Sequence, residues 1–556
     1  MKQELEQVVA AAVQDLFSEA VTVELTRPEE QFGDYATNVA LQLAKKVGKN
    51  PREIAEALAQ RLTDDPFMRL QKAEVAGPGF LNLTLADAAL VQAADIRVAE
   101  LFAGKRVLLE YSCPNPFKEI HAGHLYQTVA GDALGRILEA TGVTVFRANF
   151  GGDVGLHVGK CLYGVVETLG GELPKRLADV PAESRAEWLS SAYVRGAKAY
   201  EDDPQAKEQI ASINTTVYAF HTMDDHETPL AQIYWTCRQW SYDYFKTFYD
   251  QIEVEPFDRY YPESETTEPG LAVVRANMGT VFTESDGAVV YKGEDAGLHT
   301  RVFITSQGLP TYETKDTGVI MLEAKDFSYD RRVIMTGNDQ SEYMKVVFAA
   351  LHAVDADLAA KQVHLVNGTV KFGSGQKMSS RLGNVTRAID VVAAVDDAVA
   401  AVRPDSDHAQ TALAAIKYTF LKHRLGGDIA FDINESVSLE GNSGPYLQYA
   451  HARARSVLAR AHSAEADLSG LLPAERSLVR KLAEYNEVVA RAADDLLPHL
   501  ICTYLYELAQ RFNQFYEYNR VIGDEREAIR LGLVRRYADT LKHGLEILGI
   551  SAPERM

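Results

Sequence analysis

The chain reads as an α/β protein. A Rossmann-type, doubly wound sheet is preceded by a smaller α+β block and followed by an all-α block. Three observations predict this. Residues 106–146 run strand, loop, helix, strand, which is half of such a sheet. The first 85 residues join an amphipathic helix to a Gly/Pro turn that enters a strand. From about Val391 onward the apolar periodicity is helical, with polar loops between.

The opening helix is marked by Leu5, Val8, Val9, Ala12, Val13 and Leu16 at three- and four-residue spacing. The segment Val75-Ala-Gly-Pro-Gly-Phe-Leu-Asn-Leu83 then predicts a turn into a strand. Phe80 and Asn82 are two apart and so share one strand face. An aromatic ring beside an amide suits an unstacked base, although a core Phe and a turn Asn would carry the same letters. An Ala-rich helix over residues 86–102 leads to the strand R-V-L-L-E-Y-S at 106–112. Two prolines hold 113–120 as a loop, and Leu125, Val129, Leu134, Ile137 and Leu138 predict a helix over 122–141. Gly142 ends it, and Val143-Thr-Val-Phe146 begins the next strand. Residues of about 159–251 are helical and aromatic-rich, an insertion between the two halves of the sheet. Asp286-Gly287 within residues 281–290 predicts a hairpin.

Two short signatures carry the chemistry, His121-Ala-Gly-His124 and Lys377-Met-Ser-Ser380, 256 positions apart. In the first, the histidines are three apart at a helix start, where free N–H groups favour phosphate. Asn115, Lys118 and both histidines converge on one strand-to-helix turn, and Gly123 lets a flat base approach the backbone. The second lies in a loop with Gly373, Gly375 and Gly383, whose tip carries Lys377 and Arg381. Such a loop is suited to closing on a leaving pyrophosphate, though a solvated basic loop has the same composition.

At 556 residues, 46% hydrophobic and 24% charged, the chain has the balance of a globular protein of two to four domains. No apolar run approaches the roughly 18 residues that span a bilayer, and the amino terminus has no apolar signal core. Cys113, Cys161, Cys237 and Cys502 are scattered, without the paired spacing of a zinc site or a disulfide framework. A reducing cytoplasm is the expected compartment. The net charge of −21 argues against a nucleic-acid partner until its distribution is considered. Residues 451–556 hold 15 Lys+Arg and 15 Asp+Glu, leaving 42 basic and 63 acidic residues upstream. The neutral final block can therefore present local basic faces, such as Arg453, Arg455 and Arg460.

The two signatures, in this order, resemble those of class I aminoacyl-tRNA synthetases. The likeness narrows to the arginyl-tRNA synthetases over Glu110-Tyr-Ser-Cys-Pro-Asn-Pro-Phe-Lys-Glu-Ile-His-Ala-Gly-His124 and Gly308-Leu-Pro-Thr-Tyr-Glu-Thr-Lys-Asp316. It extends to Tyr446-Leu-Gln-Tyr-Ala-His-Ala-Arg453 and to the ending Leu548-Gly-Ile-Ser-Ala-Pro-Glu-Arg-Met556.

This resemblance implies ATP-dependent ligation of L-arginine to its tRNA through an arginyl-adenylate, with Mg2+ arriving on ATP and no protein-bound zinc. His121, His124, Lys118, Lys377, Ser379 and Ser380 would act by positioning and charge stabilisation. ATP would lie against His121, Gly123, His124, Lys377 and Met378. The guanidinium would meet Glu110, Tyr312 and Asp316, and the amino acid's backbone groups Asn115 and Gln340, with Ser112 adjacent. Taken alone, Asp316 is also an ordinary helix-start acid and Tyr312 an ordinary core residue. Phe80 and Asn82 would contact the tRNA elbow, and Tyr446, Gln448, Tyr449 and Arg453 the anticodon region. The implied domains are 1–85 for the elbow, 86–390 for catalysis and 391–556 for the anticodon, in a monomer with no membrane partner. Tyr126, His157 and Tyr343 depart from residues common in the family, which bears on details of ATP and substrate contact. Two other readings remain at this level. One is a different class I synthetase, although the cysteine enzyme needs a zinc site that these cysteines do not supply. The other is a non-catalytic tRNA binder, which would have no use for Lys377.

Overall fold

In the computed structural model, which describes residues 1–64, 69–373, 387–403, 407–461 and 468–556, the amino-terminal block is a three-stranded antiparallel sheet with helices packed on it. Helix α1 (Lys2–Phe17) buries Leu5, Val9, Ala12 and Val13 but leaves Leu16 exposed. Strand β1 (Tyr35–Thr37) is followed by α2 (Val39–Val47) and α3 (Pro51–Thr63), the latter capped by Asn50 with Pro51 in its first turn. Then come β2 (Leu70–Ala76) and β3 (Phe80–Leu85), in the order β1-β3-β2. Along β3, Leu81, Leu83 and Leu85 are buried, so Phe80 and Asn82 stand on the opposite face.

The Ala-rich helix is shorter than its composition suggests, for α4 covers only Asp87–Ala93. Its end is held by Asn486, whose amide donates to the carbonyls of Ala93 (3.2 Å) and Asp95 (2.8 Å). Arg536 also pairs with Asp95, so the chain is drawn into turns toward the carboxyl-terminal helices.

Next follow β4 (Arg106–Glu110), α5 (Ala122–Ala140) and β5 (Thr144–Gly151). Helices α6 (Leu156–Leu169), α7 (Arg185–Asp202), α8 (Pro204–Met223) and α9 (Pro229–Gln251) lead to β6 (Arg259–Pro262). After α10 (Glu263–Ala276), strands β7 (Phe282–Ser285), β8 (Ala288–Tyr291) and β9 (Arg301–Ile304) form a small antiparallel sheet. The predicted hairpin is present, with Asp286 (φ 51°) and Gly287 (φ 76°) both in the conformation of a two-residue turn. Helix α11 (Tyr312–Asp326), β10 (Arg331–Gly337), α12 (Ser341–Val354), α13 (Ala356–Ala360) and β11 (Gln362–Asn367) complete the sheet.

The five strands lie in the order β11-β10-β4-β5-β6, and every neighbouring pair is parallel. The order reverses between β4 and β10, and ligands of such sheets sit at the strands' carboxyl ends there. One expectation is corrected. The helices α6–α9 do not join the two halves of the sheet, since they connect β5 to its neighbour β6 within the first half. The halves are joined by α10, the small sheet and α11. Strand β6 has four residues and ends in proline, which is why its periodicity gives no signal.

Beyond β11, β12 (Val370–Phe372) precedes α14 (Ala388–Val402) and α15 (His408–Leu421), which pack on α5. Strand β13 (Ile429–Phe431) pairs with β12, an exception to the all-helical reading of the final block. Helices α16 (Ile433–Ser436), α17 (Gly444–Ala459), α18 (Pro473–Leu482), α19 (Tyr485–Asp494), α20 (His499–Tyr518) and α21 (Glu527–Glu546) follow. Ion pairs tie this bundle to the amino-terminal block, Arg27–Glu487 at 2.6 Å and Arg476–Asp34 at 2.7 Å.

Candidate active site

A cleft of about 1030 Å³ opens at the carboxyl ends of β4 and β10. Its floor begins with Glu110, the last residue of β4. The chain then turns sharply, with Ser112 (φ 70°), Cys113 (φ 48°) and Phe117 (φ 68°) in the left-handed region. Three such residues in one short loop store strain that the surroundings must hold. The helical insertion holds it. The backbone N–H groups of Phe117, Glu119 and Ile120 donate to Ser241 (2.9 Å), Ser190 (3.0 Å) and Tyr244 (3.3 Å) on α9, α7 and α9. Asn115 faces the cleft, and its carbonyl accepts from Gly152 N–H at 2.9 Å.

His121 caps α5. Its Nδ1 accepts from the N–H groups of Gly123 (3.1 Å) and His124 (3.3 Å), satisfying donors that a helix start otherwise leaves free. The His121 and His124 rings stack at 3.7 Å between centroids. A Cβ at Gly123 would lie 3.0 Å from Cε1 of His121. Gly123 therefore makes room for the capping imidazole, a more local reason for the glycine than the approach of a base. Burial and Lys118 lower the pKa of His121, while burial, His121 and Lys118 push that of His124 well down. Both rings are thus neutral near pH 7 and act as hydrogen-bonding groups rather than cations. Nδ1 of His124 is buried and has no partner among the described residues.

The opposite wall is rich in carboxylates. Arg332, itself buried, is clamped between Glu110 and Glu323. Glu263 pairs with Lys315 at 2.7 Å. Asp316 is 9% exposed, forms no ion pair among the described residues, and accepts a hydrogen bond from Tyr343. Burial first, and then Glu110, push the Asp316 carboxyl well above the usual range. Arg332 is thus already paired with Glu110 and Glu323, and Asp316 is a third carboxyl nearby with no cation of its own among the described residues. A cation entering the cleft would favour its ionised form. Tyr312 stands at the first turn of α11, 61% exposed, and lines the same cavity, as does Gln340.

The structure thus brings Glu110, Asn115, His121, Gly123, His124, Tyr312, Asp316 and Gln340 to one cleft. Other predicted residues lie elsewhere. Ser112 is fully buried behind the wall, its hydroxyl engaged by Tyr249 (2.8 Å) and Thr128 (2.7 Å). The ammonium of Lys118 rests 4.0 Å from the centre of the Tyr193 ring on α7 rather than on the cleft wall. Tyr126 is buried against Phe420 of α15, 5.4 Å between centroids, so its departure from the family pattern concerns packing. His157 donates its Nε2–H to Gly152 O (2.7 Å), just below the cleft. Lys377, Met378, Ser379 and Ser380 lie outside the described residues. Sequence reasoning missed Glu263, Gln127 and Arg332. Glu263 follows the short β6 and Arg332 is near the start of β10, positions with no local signature.

On the amino-terminal block Phe80 is 43% exposed, which excludes a core role, and Asn82 is half-buried on the same face. On α17, Tyr449 is 42% exposed and Tyr446 half-buried. Arg453 stacks over Tyr516 at 4.8 Å. Gln448 is corrected: it is fully buried, and its amide donates to Ser551 O (2.9 Å) and Oγ (3.1 Å), pinning the carboxyl-terminal tail. Among the described residues, no group of three His, Cys, Asp or Glu is arranged to hold a metal ion, and no helix is long and apolar enough to cross a membrane.

Comparison with known proteins adds a second line. Residues 1–85 match the arginyl tRNA synthetase N-terminal domain, 86–425 the catalytic domain of class I tRNA synthetases (R), and 447–556 the DALR anticodon binding domain. The chain is 32% identical to the arginine–tRNA ligase of Frankia casuarinae, over 100% of this chain and 98% of that protein. It is 31% identical to that of Thermobifida fusca, over 95% and 94%. The arginyl-tRNA synthetase of Thermus thermophilus superposes with a TM-score of 0.81 at 26% identity, covering 100% of both chains.

Proposed function

The chain belongs to the arginyl-tRNA synthetase family and ligates arginine to its tRNA with ATP, and from that premise we propose how its residues divide the work. The observation that carries the reading is Asp316, a buried carboxylate without an ion-pair partner among the described residues, in a cleft shared with His121 and His124. Arginine enters with its guanidinium against Asp316 and Glu110, across the exposed ring of Tyr312. A planar cation with paired donors matches carboxylates better than an ammonium does. Asn115 and Gln340 hold its backbone groups, leaving the carboxylate free to attack the α-phosphate of ATP. Attack forms the arginyl-adenylate and expels pyrophosphate, and a ribose hydroxyl at the tRNA 3′ end then displaces AMP.

No side chain needs to become covalently linked. His121 and His124 hold ATP through neutral ring nitrogens, with Gly123 between them, at a helix start whose dipole favours phosphate. Positive charge for the departing pyrophosphate comes from Lys118 once it leaves Tyr193, from Lys377, and from Mg2+ carried by ATP, with Met378, Ser379 and Ser380 completing the second signature's role. The 1–85 block meets the tRNA elbow through Phe80 and Asn82. Residues 86–390 perform catalysis, and 391–556 grip the anticodon region through Tyr446, Tyr449 and Arg453. The four free, scattered cysteines suit a reducing cytoplasm.

The test is Asp316→Asn, which keeps shape and removes charge. It should remove about 2–5 kcal/mol of arginine affinity, a rise in the arginine Michaelis constant of roughly thirty-fold or more. An unchanged arginine Michaelis constant would refute the assignment.

A further inference from the structure

We propose that Tyr343 is a positioning residue for arginine selection: its phenol fixes the Asp316 carboxylate in the orientation that receives the guanidinium. This rests on the reading of Asp316 just given. Among the described residues, Tyr343 is the one side chain that hydrogen-bonds to Asp316, and it does so at Oδ2. The carboxylate's other neighbours leave it unconstrained. Arg332 is spent on Glu110 and Glu323, and Lys315 on Glu263. Without the phenol, a short side chain surrounded by Glu110, Glu263 and Glu313 would turn away from them.

Tyr343 is itself firmly placed. It is half-buried on the first turn of α12, packed against the Ile320, Val347 and Leu351 cluster, with the Arg301 guanidinium 6.0 Å from its ring. It also lies three residues after Gln340, so one helical turn carries a group for each end of the amino acid. The recognition of guanidinium and of backbone groups is thereby locked to one rigid element.

The experiment uses the full-length enzyme with its tRNA and compares Tyr343→Phe, Asp316→Asn and the double variant in steady-state aminoacylation. Phenylalanine retains the ring and its packing. Losing a hydrogen bond to a charged group should raise the arginine Michaelis constant of Tyr343→Phe about ten-fold, with kcat and the ATP Michaelis constant held within about two-fold. The double variant should be no worse than Asp316→Asn, because the phenol acts only through that carboxylate. Losses that multiply in the double variant, or a lowered kcat at unchanged arginine Michaelis constant, overturn the inference. So does a normal Tyr343→Phe beside an impaired Asp316→Asn, which leaves the reading of the cleft standing. A normal Asp316→Asn overturns that reading and this inference together.

Discussion

The imidazole of His121 does two things at once for His124: it accepts the backbone N–H of that residue at 3.3 Å and stacks on its ring at 3.7 Å. The capping nitrogen is Nδ1, so it must carry a lone pair, and the ring's proton sits on Nε2. Structure and chemistry are thus separable at this position. Asparagine is among the best capping residues. His121→Asn should therefore melt within a degree or two of the parent, on the order of the small difference between good caps. Adenylate formation should fall by about 10²-fold, as when one preorganised donor is lost. A variant that melts early in proportion to its lost activity would show that the cap alone explains the residue.

His157 supplies a prediction in pH. Its Nε2 lies 2.7 Å from Gly152 O, and burial, assisted by Lys118 and Lys315 against the pull of Asp153, lowers its pKa to about 4. In the unfolded chain a histidine titrates near 6.5. Between these values the unfolded state binds the proton more readily, so stability rises with pH through this window and is lost as pH falls. His157→Gln, which has no titrating group, should flatten the decline of melting temperature between pH 6.5 and about 4. Parallel profiles for the two proteins would mean that other groups set the acid limit.

How much of this was legible beforehand depends on sequence distance. The two histidines at a helix start, the Gly/Pro turn before Phe80 and the Asp286-Gly287 hairpin are each encoded within a few residues, and each stands where its letters place it. The sheet's outer strand β6 was not legible, because four residues ending in proline have no period to detect. Nor was the clamp of Glu110 by Arg332, a pairing across 222 residues that exists only because β4 and β10 are parallel neighbours. Gln448 misled for the same reason. Its helix neighbour Tyr449 turns outward, while its own amide meets Ser551, 103 residues away. Pattern locates side chains on an element, and only packing decides which face meets solvent.

The tRNA-facing role of the amino-terminal block turns on Phe80. Its ring is 43% exposed on a strand whose other face carries buried Leu81, Leu83 and Leu85, so it contributes little to the core. Gly77 (φ 53°) and Gly79 (φ 146°) shape the turn that presents it, and Cβ of Pro51 lies 2.8 Å from where a Cβ at Gly79 would stand. Gly79 therefore leaves room for Pro51 where any side chain would clash. Stacking of a base on an aromatic side chain contributes about 1–3 kcal/mol. Phe80→Ala should raise the tRNA Michaelis constant roughly ten-fold while melting near the parent temperature, with the arginine and ATP Michaelis constants unmoved. Removing the amide with Asn82→Ala should act in the same direction, because both side chains share the face. Normal tRNA dependence in both variants would place the elbow contact on another surface of the block.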